Sequence, residues 1–234
     1  MKEYRDYYFR KAKQENYPAR SVYKLKEIDR RFRIFRKGMK VLDLGAAPGS
    51  WSLGASELVG PQGRVVGCDI QSTNTVFPAN VSFYQEDVFD RSPDFETLLA
   101  ATGPFQVVMS DMAPQTTGTK LTDQTRSYEL CCEALSVAEA YLATGGSYIV
   151  KIFMGPDVEA FVRRMRPLFT RVTSFKPQSS RAESKETFFV GIGFKGTPSA
   201  YVRADSAEGT EAIPEQEFRV GAGEVPVTPL VGDC

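Results

Sequence analysis

Val41-Leu42-Asp43-Leu44-Gly45-Ala46-Ala47-Pro48-Gly49-Ser50-Trp51-Ser52 decides how this chain is read. A short apolar run carries an acid, turns on two glycines four residues apart and enters a helix. Glycine lets a backbone approach a ligand closely, and a helix start offers free N–H groups. The stretch is therefore either an ordinary strand-to-helix turn or the cofactor loop of an α/β domain, and the rest of the chain has to separate the two.

Downstream, apolar runs alternate with amphipathic ones. Strands are expected at Arg64–Asp69, Val81–Gln85, Gln106–Asp111, Ser147–Phe153, Arg171–Phe175 and Thr187–Phe194, in addition to the opening run. Helices are expected at about 51–58, 93–101, 122–142 and 157–168, and the last two strands have no helix between them. This order predicts an α/β Rossmann-like fold: a seven-stranded, mostly parallel sheet with an antiparallel final strand and helices on both faces. Asp69 ends the second strand 24 positions beyond Gly45, a separation at which an acid reaches nucleotide ribose hydroxyls in doubly wound folds. Asp87 and Asp111 follow the third and fourth strands, at the edge where such sheets bind ligands. Lys151 lies within an otherwise apolar strand, where an ammonium is costly unless paired. Its expected partner is Asp111.

Ahead of the loop the chain is basic. Residues 1–40 hold 14 Lys+Arg against 5 Asp+Glu, residues 41–196 hold 13 against 17, and residues 197–234 hold 2 against 7. A net charge of zero thus conceals a polarised molecule, and the basic front suits a phosphate-rich partner. In residues 1–18 bases (Arg5, Arg10, Lys11, Lys13) alternate with rings (Tyr4, Tyr7, Tyr8, Phe9, Tyr17), as an RNA-binding arm would. Between Ala19 and about Phe35, Val22, Leu25, Ile28 and Phe32 recur at helical spacing, with Pro18 before and Gly38 after. Three parts follow: a basic arm and helix over 1–38 that packs on the core and faces RNA, a catalytic domain over 39–196, and an acidic, proline-bearing, mobile or loosely docked extension over 197–234. With no histidine and no metal-ligand spacing among four cysteines, no metal is expected and no imidazole base exists. The absence of a long apolar run leads us to expect a cytoplasmic protein with no membrane partner.

Five segments together carry a resemblance. They are Ala19–Leu25 (ARSVYKL), Asp43–Ser52 (DLGAAPGSWS), Ser110–Pro114 (SDMAP), Gly145–Phe153 (GGSYIVKIF) and Lys176–Arg181 (KPQSSR) running on to Glu186. In these the chain closely resembles the FtsJ-type RNA 2′-O-methyltransferases over roughly residues 5–196. The resemblance implies a Lys-Asp-Lys-Glu catalytic tetrad, here Lys24, Asp111, Lys151 and Glu186. It implies S-adenosylmethionine as cofactor, held by Gly45, Ala47, Pro48, Gly49, Ser50 and Trp51, by Asp69 with Ile70 at the ribose, by Asp87 with Val88 near the adenine, and by Asp111 near the methionine end. The family often has Gly-Gly before the Trp. This chain has Ser50, whose side chain is expected to point away from the cofactor.

The activity so implied is methylation of a ribose, a uridine in large-subunit ribosomal RNA, by a monomer. With histidine absent, a lysine is the candidate base for the 2′-hydroxyl proton; Lys151 takes that role, with Asp111 orienting it and Lys24 and Glu186 positioning the ribose. Transfer RNA or a messenger cap is the alternative substrate. A non-catalytic RNA-binding protein of ribosome assembly and a nicotinamide-dependent oxidoreductase are the alternatives of other classes; the loop lacks the third glycine that the latter requires.

Overall fold

In a computed structural model of the chain, residues 2–181 and 184–196 are described, with side chains from residue 7 onward. The expected extension over 197–234 lies outside the described residues. Seven strands form one sheet: β1 (Lys40–Leu44), β2 (Arg64–Asp69), β3 (Val81–Gln85), β4 (Phe105–Ser110), β5 (Leu142–Phe153), β6 (Phe169–Phe175) and β7 (Glu186–Phe194). Their order is β3-β2-β1-β4-β5-β7-β6. The pairs from β3 through to β5 are parallel, and β7 is antiparallel to both neighbours, β5 and β6. The mostly parallel, Rossmann-like fold is thus present, with the antiparallel strand inserted beside β5 rather than left at the edge.

Among the described residues six helices accompany the sheet: α1 (Lys2–Gln14), α2 (Val22–Phe32), α3 (Ser50–Val59), α4 (Pro93–Thr102), α5 (Lys120–Tyr141) and α6 (Val158–Leu168). Side chains alternate across a strand, and that parity sorts the core into two layers. Leu42, Leu44, Val108, Val150, Ile152 and Phe189 pack with residues of α4, α5 and α6. Val41, Met109, Ile149, Phe188 and Val190 pack with Leu25 and Ile28 of α2 and Trp51 and Ala55 of α3. Asp43 has the parity of Val41, Asp111 that of Met109, Lys151 that of Ile149, and Glu186 that of Phe188. The polar residues at the carboxyl edge therefore point to the layer that α2 and α3 cover.

Residues 2–14, read as an arm, are helical, and several rings in and after this helix are engaged within the protein. The Tyr17 hydroxyl donates to Glu57 and accepts from Lys26 Nζ at 2.6 Å, the Tyr23 hydroxyl donates to Glu15 at 3.0 Å, and the Tyr8 and Tyr23 rings lie 5.2 Å apart. Tyr7 and Phe9 stay exposed. Two element boundaries differ from those expected. The second helix is shorter than its apolar pattern: it ends at Phe32 because Arg33 turns left-handed (φ 53°), its N–H capping Asp29 O, well before Gly38. Strand β5 begins at Leu142, inside the stretch expected to be helix, and a register shift against β4 accommodates Gly145-Gly146 before regular pairing resumes at Ser147. Among the described residues no helix is long and apolar enough to cross a membrane.

Candidate active site

The loop after β1 works in two directions. On one side it opens onto a cavity of about 390 Å³ at the carboxyl ends of β1, β2, β3 and β4. Gly45, Ala47, Asp69, Ile70, Asp87, Val88 and Asp111, all expected at the cofactor, line it. Asp69 braces the loop, accepting from Ala47 N at 3.0 Å and from Gln71 N at 2.8 Å, and Asp87 accepts from Phe89 N at 2.9 Å. Each carboxylate oxygen keeps a further lone pair for a ligand.

Pro48, Gly49, Ser50 and Trp51 were expected at the cofactor as well, and they are not among the residues that line this cavity. They form the other side of the loop. Gly49 caps α3 at φ 112°, a left-handed conformation that only glycine adopts readily, and a Cβ there would come within 2.8 Å of the Phe77 ring. Ser50 Oγ accepts from Ala19 N at 2.7 Å, so its side chain is spent on the segment before α2. Trp51 is 2% exposed; its indole N–H donates to Ser21 O at 2.9 Å and its ring stacks on Phe188 at 5.6 Å. An indole brings a large apolar surface and one donor, and both are satisfied here between α2 and the sheet. Gly54 completes the docking: a Cβ there would lie 2.8 Å from Val22 Cγ2. Ser50, Trp51 and Gly54 thereby fix the start of α2, which carries Lys24.

The four expected catalytic residues come together as two ion pairs. Lys151 Nζ lies 2.8 Å from Asp111 Oδ1 and donates to the Asp111 backbone carbonyl. Lys24 Nζ lies 2.5 Å from Glu186 Oε1. Lys151, 7% exposed, is the paired lysine that its apolar strand required. The pairs share one field. Burial pushes the Glu186 carboxyl up, but Lys24, then Lys151 and a Ser180 hydrogen bond, outweigh it and hold the carboxyl below its ordinary range. Asp111 belongs to the wall of the cavity, whereas Lys24 and Glu186 line a second one of about 250 Å³ with Arg20, Ser21 and Arg181. Glu27 on α2 accepts from Gln178 N at 2.6 Å and Ser179 N at 3.0 Å, tethering the segment that leads into β7.

The match to known proteins follows the same segments. The model of the FtsJ-like methyltransferase family covers residues 17–194. The chain belongs to the FtsJ-like methyltransferase family. Among the relatives of this methyltransferase, "ribosomal RNA large subunit methyltransferase E" of Oleidesulfovibrio alaskensis is 71% identical over 85% of this chain and 96% of that protein. The protein of the same name from Nitratidesulfovibrio vulgaris is 69% identical over 86% of this chain and 98% of its own length. A crystal structure of a ribosomal RNA methyltransferase from Plasmodium falciparum superposes with a TM-score of 0.68 at 27% identity, over 77% of this chain and all of that one.

Sequence reasoning missed Gln71, Phe89, Met112, Ala113 and Leu130, which complete the cavity wall. Four of them stand within two residues of an acid that was singled out, so the strand ends were the available signal. Leu130 comes from the middle of α5 and carried none. It also left Asp43 without a role, although the acid is wholly buried and hydrogen-bonded to Ser52 Oγ at 2.6 Å.

Proposed function

We propose that this FtsJ-like methyltransferase transfers a methyl group from S-adenosylmethionine to the 2′-oxygen of a ribose, a uridine in large-subunit ribosomal RNA. The observation that carries the reading is the two ion pairs: Asp111 lines the first cavity, Lys24 and Glu186 line the second, and Lys151 pairs with Asp111 while its charge also acts on Glu186. The names of the relatives support ribosomal RNA as the substrate.

The first cavity suits the cofactor. Its volume is in the range of small-molecule sites. Asp69, Asp87 and Asp111 offer acceptors to hydroxyl, amine and cationic groups, and Ile70, Val88, Phe89 and Met112 offer apolar surface to a purine. When bound there, S-adenosylmethionine supplies an electrophilic methyl group on a sulfonium. The protein's own task is to hold the ribose 2′-oxygen and to accept its proton. Lys151 Nζ, as the neutral amine, is the group to accept it, since no imidazole is present and Asp111 holds it in place. Asp111 orients that amine, and Lys24 and Glu186 position the ribose from the second cavity. Much of the rate then comes from placement, because fixed reactants forgo the entropy of encounter.

The test is transfer of labelled methyl to protein-free ribosomal RNA and to large subunits lacking the modification, read by mapping 2′-O-methylation. Lys151→Ala should slow single-turnover transfer by about 10²–10⁴-fold with cofactor affinity retained. Near-normal transfer by that variant removes Lys151 as the base, and binding without transfer by the wild type removes the reading as a whole.

A further inference from the structure

Lys24 stands at one end of α2, and at the other end the chain places four exposed guanidinium groups: Arg30, Arg31, Arg33 and Arg36. Among the described residues none of the four is within ion-pair distance of a carboxylate. Asp29 sits beside them, but its Oδ1 is occupied by Ile34 N and Phe35 N, both at 3.0 Å. That carboxylate shapes the loop that presents Arg33 and Arg36. Arg33 adopts φ 53°, at a helix C-cap where glycine is the residue that suffers no Cβ penalty. The chain keeps a cation at a position that favours glycine. Arg31 and Arg171 both lie over the Phe32 ring at 5.8 Å, which extends the positive surface onto β6.

This surface is separate from the catalytic edge. Arg33 and Arg36 rim a groove of about 340 Å³ whose other walls include Met39, Gly145, Gly146 and Ile192. Met39 precedes β1, and Ser147 at the regular start of β5 pairs with Ile192 of β7, whereas Lys151 and Glu186 lie toward the other ends of those strands. The groove therefore opens at the amino ends of the parallel strands. Arg33 follows Lys24 by nine residue steps, about 14 Å along α2. That is the reach of about four nucleotides at the charge spacing of one strand of a duplex.

We propose that the C-terminal end of α2, through Arg31, Arg33 and Arg36, is a second anchoring surface, which binds the phosphate backbone of the substrate RNA about four nucleotides from the ribose held at Lys24. The proposal rests on the reading of the protein as an RNA methyltransferase and adds a contact away from its site. Its consequence is a length requirement: RNA too short to span both ends of α2 gains nothing from the arginines.

The experiment compares the wild type with Arg31→Ala/Arg33→Ala/Arg36→Ala and with Arg33→Gly, using large ribosomal subunits, protein-free large-subunit ribosomal RNA and a ribodinucleotide as probes over a range of salt. For the long RNA, the triple variant should bind at least tenfold more weakly, with a log K against log salt slope shallower by roughly two to three. Its binding to the ribodinucleotide should match the wild type. Arg33→Gly should raise Tm, because it relieves the left-handed backbone, and yet weaken binding of long RNA several-fold. A purely structural arginine would not separate those two readouts. An unchanged salt slope, or an equal loss on long and short RNA, overturns the proposal. A loss seen with whole subunits but not with protein-free RNA also overturns it, and indicates an acidic ribosomal protein as the partner. If the wild type binds no RNA, the proposed function fails; if it binds RNA and the variants are indistinguishable from it, only the second surface fails.

Discussion

Asp43 provides a test in which the direction of a pH effect follows from burial. Its carboxyl is 0% exposed, Oδ2 accepts from Ser52 Oγ at 2.6 Å, and Oδ1 has no hydrogen-bond partner among the described residues. Burial is the largest influence and pushes the carboxyl up to about 7; the Ser52 hydrogen bond opposes this, and the charges of Asp111 and Asp69 add to it. The ordinary value is 3.8. Between these values the folded protein keeps a proton that the unfolded chain has released, so stability falls as pH rises through that window. Once both states are ionised the fold carries a penalty of roughly 4 kcal/mol relative to the protonated form. Asp43→Asn removes the titration and retains an acceptor for Ser52. Urea denaturation of both proteins at about pH 5.5 and about pH 8.5 should find the variant's stability relative to wild type rising by roughly 2 kcal/mol between the two. A constant contribution from the amide cancels in that comparison. A stability difference that does not change with pH would refute the reasoning.

Other outcomes follow from the same geometry. Glu186 has the opposite sign to Asp43: its carboxyl is held low, so the stability it contributes is present above the ordinary carboxylate range and is lost as pH falls through the depressed value. Glu186→Gln should therefore be less stable than wild type near neutrality and converge with it in acid, as measured by denaturation at a series of pH values. Ser50→Ala leaves the Ala19 N–H without its acceptor and should cost about 1–3 kcal/mol. Isothermal titration of that variant with cofactor should show little change, because the Ser50 side chain faces α2 rather than the cavity; a large loss of affinity would assign it to the cofactor instead.

Much of the sheet was legible in the chain. Short apolar runs such as Val65-Val66 and Val107-Val108-Met109 sit between turn residues and have strand length, and their alternation with helical patterns leaves few topologies open. The acids Asp69, Asp87 and Asp111 were legible too, since the carboxyl edge of a parallel sheet is where such residues face a ligand. Boundaries failed where a tertiary contact overrode a local pattern. The apolar spacing of α2 continues through Phe35, but Asp29 captures the N–H groups of Ile34 and Phe35 and the helix stops at Phe32. The rings near the N-terminus carried no signal for their partners, because Glu57 lies 40 positions from Tyr17.

The tetrad divides along the same line. Parity along β5 and β7 is local, so Lys151 had to share a face with Ile149, and Glu186 with Phe188, in any structure that kept those strands. Which helix covers that face is not a local property. It depends on Ser50 and Trp51 binding the backbone ahead of α2, and on Gly54 leaving room for Val22, contacts that exist only after α3 has packed on the sheet. Of the loop residues expected at the cofactor, Ser50 and Trp51 turn their side chains to the backbone ahead of α2 for this reason. Side-chain alternation is dictated by the backbone of each strand, whereas the placement of Lys24 opposite Glu186 is a result of packing between segments about 160 residues apart.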